Sequence, residues 1–234
     1  MRIGVTYDLR ADYLARGMSE EESAEFDAEI TIASICEALS GLGHEPVRIG
    51  HIRALTQRLA ADERWDAVFN ICEGLSGYAR EAQVPALLEA YAIPVVFSDP
   101  LTLALTLDKA WTKRIVRSAG VPTPDFAVIE TPADIDGVNL PFPLFLKPVA
   151  EGSGKGVSER SRVDTQSGLR ATASDLLMKF RQPVLAETYL PGREFTVGIT
   201  GTGQDASALG VMEIKPTAQG TQSGYSYENK EHWE

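Results

Sequence analysis

The sequence has few of the residues that build disulfide, zinc or membrane-spanning structures. Its 234 residues include two cysteines and three histidines, scattered along the chain. Isolated thiols in apolar surroundings favour core packing over a disulfide or a metal pair, and scattered histidines give a zinc site little support. No run of 18 apolar residues occurs either, so the sequence offers no candidate for a membrane-spanning helix.

Positive charge is also scarce. The chain has 22 lysine and arginine residues against 33 aspartate and glutamate residues, a formal net charge of -11. Such a chain has no basic face with which to displace counterions from a nucleic acid. Residues 1–8 read as a strand rather than as the apolar part of a signal peptide, which favours a cytoplasmic protein. We therefore expect small-molecule partners, and neither nucleic acid nor a membrane.

The first hundred residues alternate short β-rich runs with helical patterns. The runs lie at residues 3–7, 46–49, 67–71 and 94–97. A helix between the first two runs is predicted by apolar residues at helical spacing, Ile32, Ile35, Cys36, Leu39 and Leu42. A second helix is predicted near Pro85, with Leu87, Leu88 and Tyr91 facing inward. This alternation is typical of a doubly wound parallel sheet, in which ligands bind beyond the carboxyl ends of the strands, here Asp8 and residues 70–77.

After residue 98 the pattern changes. One long helix is predicted over residues 101–118, with a stripe formed by Leu103, Leu107, Trp111 and Ile115. The proline- and glycine-rich residues 120–124 interrupt the chain. Strands are predicted beyond them, at residues 126–129, 144–147, 184–190, 194–200 and 209–215, with one helix around residues 165–181. The second half is therefore expected to be an antiparallel α+β unit.

Lys147 and the glycine-rich residues after it form the most informative stretch. The lysine interrupts an apolar run, and Gly152, Gly154 and Gly156 follow in a small polar loop. The pattern matches neither the Walker A motif nor G-x-G-x-x-G. A half-buried ammonium needs a counter-charge, which the phosphate of a nucleotide would supply, and a glycine loop offers backbone N–H groups to further phosphates. The alternative is a hairpin whose lysine reaches out to water, and both interpretations stay open at this point.

Two strand glutamates are further candidates. Glu187 shares a strand face with Leu185 and Tyr189, and Glu194 lies on the face opposite Phe195. A glutamate among apolar neighbours can accept hydrogen bonds from an amine or a sugar hydroxyl. Simple exposure to solvent is the alternative for each of them.

Together these features resemble the D-alanine–D-alanine ligase family of the ATP-grasp superfamily. The resemblance covers nearly the whole chain and rests on residues 69–70 with 73–74, 80–85, 107–109, 120–124, 145–148 with 151–153, and 192–197. It implies a Rossmann-like parallel-sheet domain over residues 1–100. An α+β ATP-grasp domain would follow over residues 101–234, incomplete at its C-terminus.

The resemblance also implies roles for individual residues. ATP phosphates would be held by Lys109 and Lys147, under a loop containing Glu151, Gly152 and Ser153. The adenine pocket would be lined by Glu187, Thr188, Tyr189 and Leu190, and Glu194 would bind the ribose. Glu29 would bind the first amino acid together with Ser153, although a glutamate at a helix start also complements the helix dipole. Lys230 resembles the lysine of a mobile loop that closes over the active site.

The implied activity is an ATP-dependent ligase that joins two amino acids through an acylphosphate, as in D-alanine–D-alanine ligase of peptidoglycan and cell-wall biosynthesis. Gly154 replaces a second loop serine and Glu231 an expected tyrosine. A ligase for another acid and amine therefore remains an alternative, as does a nucleotide-binding protein without catalysis. Magnesium is implied as well, with its ligands beyond residue 234, so we expect residues 1–234 alone not to catalyse ligation. The identity and stereochemistry of the amino acids, and a homodimer, are left open.

Overall fold

The first of two structural units, Met1–Ala119, is built on a three-stranded parallel sheet in this computed structural model, which describes residues 1–215. Its elements are β1 (Arg2–Tyr7), α1 (Arg10–Leu14), α2 (Glu29–Gly41), β2 (Glu45–Arg48), α3 (Ile52–Ala60), β3 (Ala67–Ile71), α4 (Gln83–Ala90), α5 (Pro100–Leu107) and α6 (Lys109–Ser118). The strand order is β2-β1-β3, so β1 is central. One apolar cluster includes Leu55 and Leu59 of α3, Val68 of β3 and Leu88 of α4. The predicted parallel sheet is confirmed.

Two local predictions for this unit are wrong. Residues 94–97 form no strand: Val95 makes an isolated bridge to Val68, and Phe97 takes a left-handed backbone with φ 81° that interrupts extended structure. Tyr91 does not face inward but is 40% exposed. It follows the last residue of α4, where the chain has already left the helical phase. Helix α3, which packs Leu55 and Leu59 into the core, was not predicted.

The predicted single helix over residues 101–118 is two helices. Asp108 lies between α5 and α6 in an extended conformation, and its carboxylate accepts hydrogen bonds from the backbone N–H groups of Ala110 (2.8 Å) and Trp111 (2.9 Å). Such a cap begins a new helix. The break shifts the helical phase, so Trp111 and Ile115 are exposed while Lys113 is buried.

The second unit, Gly120–Glu234, is antiparallel in its described part. Its elements are β4 (Phe126–Ile129), β5 (Leu144–Pro148), β6 (Arg162–Val163), α7 (Gln166–Phe180), β7 (Val184–Thr188), β8 (Glu194–Thr200) and β9 (Ser207–Ile214). Strands β4-β7-β5-β6 form one sheet, and β8 pairs with β9 in another. The predicted antiparallel α+β unit is confirmed, with the short β6 in addition. The two structural units divide after Ala119. The domain boundary that the sequence suggests between residues 100 and 101 remains a prediction.

Helix α7 covers one face of the four-stranded sheet. Leu169 and Ala173 of the helix pack with Leu144, Leu146 and Ala186 of the strands. Because side chains alternate along a strand, the residues between these core positions point to the other face. One face of the sheet therefore packs into the core, and the residues between these positions lie on the face that α7 does not cover. No helix among residues 1–215 is long and apolar enough to cross a bilayer.

Candidate functional site

Lys147 and Glu187 meet on the sheet face that α7 does not cover. The register pairs Lys147 with Leu185 and Phe145 with Glu187, so these four side chains share that face. Lys147 Nζ lies 2.6 Å from Glu187 Oε1, and the two side chains are 25% and 12% exposed. The ammonium is thus held by a carboxylate rather than directed to water. The sequence suggested both residues but could not place them together.

The glycine-rich loop returns to the end of β5 in tight turns. The N–H of Lys155 donates to the carbonyl of Gly152 at 2.9 Å, and Ser153 and Gly154 have left-handed φ values of 48° and 76°. Gly156 has φ 77°, and a Cβ there would lie 2.6 Å from Cγ of Pro148. Only glycine allows this close return of the loop to the strand end.

Charged side chains hold the loop. Lys155 Nζ lies 2.8 Å from Glu151 Oε2. The amide of Gln182 donates to Glu151 Oε1 at 2.6 Å, and its oxygen accepts from the N–H of Ala150 at 2.7 Å. Of these groups the sequence singled out Glu151 alone. Lys155 lies within the glycine-rich stretch that suggested phosphate binding, and that position is the one feature of the sequence that could have pointed to this lysine.

An aromatic platform lies beside the ion pair. The rings of Phe145 and Tyr189 are stacked, with centroids 6.2 Å apart, and the guanidinium of Arg162 lies 4.9 Å from the Tyr189 ring. The N–H of Thr188 donates to the carbonyl of Asp125 at 2.9 Å, which fixes the end of β7. Flat apolar surfaces of this kind suit a heterocyclic base. Arg162 was missed because its neighbours in sequence are unremarkable.

The remaining predicted nucleotide residues are exposed, belong to the first unit or fall outside the described residues. Leu190 is exposed, and Glu194 is an exposed first residue of β8 opposite Ile214. Lys109 begins α6 in the first unit. Lys230 lies outside the described residues. Their roles stay predictions.

In the first unit, Asp8 organises the carboxyl edge of the parallel sheet. Its carboxylate is buried and accepts three hydrogen bonds: from the hydroxyl of Tyr13 at 2.6 Å, and from the N–H groups of Glu73 at 3.1 Å and Gly74 at 3.0 Å. Burial, and then the hydrogen bond to Asp8, raise the pKa of Tyr13. The end of β1 is thereby joined to α1 and to the segment after β3.

Next to Asp8, acidic side chains surround one buried arginine. Arg80 Nη2 lies 2.8 Å from Glu25 Oε2 and 3.7 Å from Glu81 Oε1, and Arg80 Nη1 lies 3.6 Å from Glu73 Oε2. Burial, and then the nearby carboxylates, raise the pKa of Glu73 to about 8. Burial, and then Asp8, raise the pKa of Asp27 to about 6. The sequence flagged residues 80–85 through the resemblance, but the gathering of these carboxyl groups is a property of the fold.

A cavity of about 180 Å³ opens at this edge and is lined by charged and polar side chains, among them Asp8, Arg16, Arg53 and His51. Glu29 does not line it. Its carboxylate instead lies 2.7 Å from Arg48 Nη2 with 59% of the side chain exposed, and the hydrogen bond from Arg48 lowers its pKa. The role of Glu29 in amino acid binding stays a prediction. Ser153, its predicted companion, belongs to the loop of the second unit.

Among residues 1–215 no group of three or more histidine, cysteine, aspartate or glutamate side chains is arranged to hold a metal ion. Burial raises the pKa of the Cys72 thiol, which keeps it protonated.

Comparisons with known proteins agree with the resemblance. The family model "D-ala D-ala ligase C-terminus" matches residues 115–233. A D-alanine–D-alanine ligase of Aquifex aeolicus is 34% identical over 223 residues, which is 95% of this chain and 70% of that protein. A D-alanine–D-alanine ligase of Herminiimonas arsenicoxydans is 36% identical over 176 residues, 73% of this chain and 50% of that protein. The solved D-alanine–D-alanine ligase of Bacillus anthracis complexed with ATP superimposes with a TM-score of 0.62 at 20% identity, covering 99% of this chain and 77% of that one.

The chain thus spans about half the length of the Herminiimonas relative and 70% of the Aquifex one. The likeness to the solved ligase confirms the ATP-grasp fold. The family model matches more than half of the chain, and one relative aligns along nearly all of it. These two matches establish the family. This chain belongs to the D-alanine–D-alanine ligase family.

Proposed function

We propose that the chain supplies the nucleotide site of an ATP-dependent ligase that joins two amino acids through an acylphosphate, with D-alanine as the first choice for both. The observation that carries the proposal is Lys147, held by Glu187 on the sheet face that α7 does not cover, directly before the glycine loop. A preorganised ammonium stabilises the charge of a transferring phosphoryl group. Membership of the family supports the reaction type.

In the proposed reaction a carboxylate oxygen of the first amino acid attacks the γ-phosphorus of ATP, and ADP leaves. The amine of the second amino acid then attacks the carbonyl carbon of the acylphosphate, and phosphate leaves as the peptide bond forms. Lys147 would hold phosphate oxygens, and the stacked Phe145 and Tyr189 would offer a surface for adenine near Glu187. Lys109, Thr188, Leu190, Glu194 and Lys230 keep the nucleotide-binding roles that the resemblance implies.

Magnesium is part of the proposal because ATP-dependent phosphoryl transfer uses a cation to bridge the phosphates. Among residues 1–215 no group of three or more histidine, cysteine, aspartate or glutamate side chains is arranged to hold it. A reaction that consumes ATP fits the predicted cytoplasmic location. A role in peptidoglycan and cell-wall biosynthesis, and a homodimer, remain predictions of the same proposal.

The proposal is tested by ADP release from the protein encoded by the complete reading frame, with Mg²⁺ and a panel of D- and L-amino acids. We expect ADP release to require amino acids and a dipeptide to appear by mass spectrometry. Turnover with another acid and amine would favour the alternative ligase. ATP binding without turnover on any acid of the panel would favour a nucleotide-binding protein. Absence of ATP binding would overturn the proposal.

A further inference from the structure

The glycine loop carries a lysine of its own, Lys155, which pairs with Glu151. Lys155 is flanked by Gly154 and Gly156, both with left-handed backbone. Because Gly156 packs against Pro148, Lys155 is brought back to the end of β5. Pro148 directly follows Lys147 in the sequence, and Gly156 directly follows Lys155. The close approach of Pro148 and Gly156 therefore joins the residues next to the two lysines.

Lys155 rests on a carboxylate that is itself fixed. Its ammonium lies 2.8 Å from Glu151 Oε2, and both side chains are 14% exposed. The other oxygen of Glu151 accepts from Gln182 at 2.6 Å, and Gln182 accepts from the N–H of Ala150 at 2.7 Å. Glu151 is therefore anchored to the segment after α7, whereas Lys155 sits in the loop itself.

We infer that Lys155 is a phosphate ligand that leaves Glu151 for the β- and γ-phosphates of the nucleotide, an inference that rests on the proposed function. A carboxylate is a poor neighbour for a phosphate, because two anions repel in a poorly solvated site. The ammonium of Lys155 is attracted by both. Glu151 then acts as the resting partner of the lysine, and not as a ligand of the phosphates.

The arrangement repeats that of Lys147. Each lysine lies within 2.8 Å of a largely buried carboxylate, Glu187 for Lys147 and Glu151 for Lys155. Lysine suits this exchange because its ammonium is a compact charge on a flexible stem, with three donors that can be redirected. A triphosphate carries more negative charge than the single phosphate of AMP, so an additional ammonium at the loop should strengthen ATP binding more than AMP binding.

The test measures the affinities of the full-length protein for ATP and AMP by calorimetry, in the wild type, Lys155→Met and Glu151→Gln. We expect Lys155→Met to weaken ATP binding at least about tenfold, or 1.4 kcal/mol, with AMP affinity within about threefold. Glu151→Gln removes the competing charge and should strengthen ATP binding while AMP is unaffected. Arg170→Met is the matched control: it removes a cation from an ion pair in the same unit, with Asp136, in which both partners are exposed.

The outcomes separate this inference from the proposed function. Equal losses of ATP and AMP affinity in Lys155→Met would mean a structural role for the lysine, and no loss would mean no contact; each overturns the inference while nucleotide binding stands. Weaker ATP binding in Glu151→Gln would make Glu151 a ligand and also overturn it, and this variant decides the matter if Lys155→Met does not fold. A wild-type protein that binds neither nucleotide would overturn the proposed function and the inference with it.

Discussion

Replacing Lys147 with methionine should reduce both folding stability and nucleotide affinity, and the two losses can be measured apart. The substitution removes the ammonium whose nitrogen lies 2.6 Å from Glu187 Oε1. Removing one partner of a fully buried ion pair costs about 3–5 kcal/mol, whereas an exposed pair contributes about 0–1 kcal/mol. Since Lys147 is 25% exposed and Glu187 12%, we expect a loss of roughly 2 kcal/mol in the free energy of unfolding.

A second substitution separates the loss of stability from the loss of nucleotide binding by the Lys147–Glu187 pair. In Lys147→Met/Glu187→Gln no carboxylate is left beside the lost ammonium, so most of the stability should return. The affinity for ATP should remain at least about tenfold below wild type, equivalent to 1.4 kcal/mol. Urea unfolding followed by circular dichroism gives the first quantity and calorimetry the second. The reasoning fails if Lys147→Met is as stable as the exposed-pair control Arg170→Met, or if the double variant binds ATP as the wild type does.

Three further predictions concern the loop, the acidic cluster and the helix break. Gly156→Ala should lower the free energy of unfolding by about 2 kcal/mol, because the backbone of Gly156 is left-handed and the new Cβ would meet Pro148. Gly210→Ala is the control, since a Cβ at Gly210 meets open space. Equal free energies of unfolding for the two variants would contradict the prediction. Glu73 keeps its proton in the folded state up to a pKa of about 8, while the unfolded chain loses it near the ordinary value, so stability should fall as pH rises between these values. Glu73→Gln should flatten that slope in unfolding midpoints, and an unchanged slope would assign it to other groups. Asp108→Ala removes the acceptor of two helix N–H groups and should cost about 1 kcal/mol; an unchanged urea midpoint would mean that the cap does not stabilise α6.

Strand positions could be predicted because their signals are local. Strands β3, β4 and β8 have the predicted bounds, since β-branched alternation and flanking turn residues lie within each segment. The helix over residues 101–118 could not be predicted as two, because the apolar spacing continues across Asp108. The side chain of that aspartate caps α6, and a competing hydrogen bond of this kind leaves no mark on periodicity.

The sequence indicated individual residues of the site but not which of them lie together. Lys147 and Glu187 stood out as charges among apolar neighbours, but their contact depends on the register between β5 and β7, which no local pattern fixes. The same holds for Arg80, whose carboxylate partners come from separate segments of the first unit. The pairing of Glu29 with Arg48 of β2 was likewise not visible in the sequence, and the role of Glu29 in amino acid binding stays a prediction.

The hydrogen bonds of Asp8 limit how this chain can vary. Two N–H groups and one hydroxyl converge on the two carboxylate oxygens. Asparagine has nearly the same size and could turn its oxygen to the two N–H groups and its NH₂ group to the Tyr13 hydroxyl, which can accept as well as donate; what it loses is the negative charge that these three donors stabilise. Glutamate would keep the acceptors but add a methylene to a buried position. Hydrogen bonding and volume together favour a short acceptor side chain, so a library randomised at position 8 should return aspartate first and asparagine second among folded members.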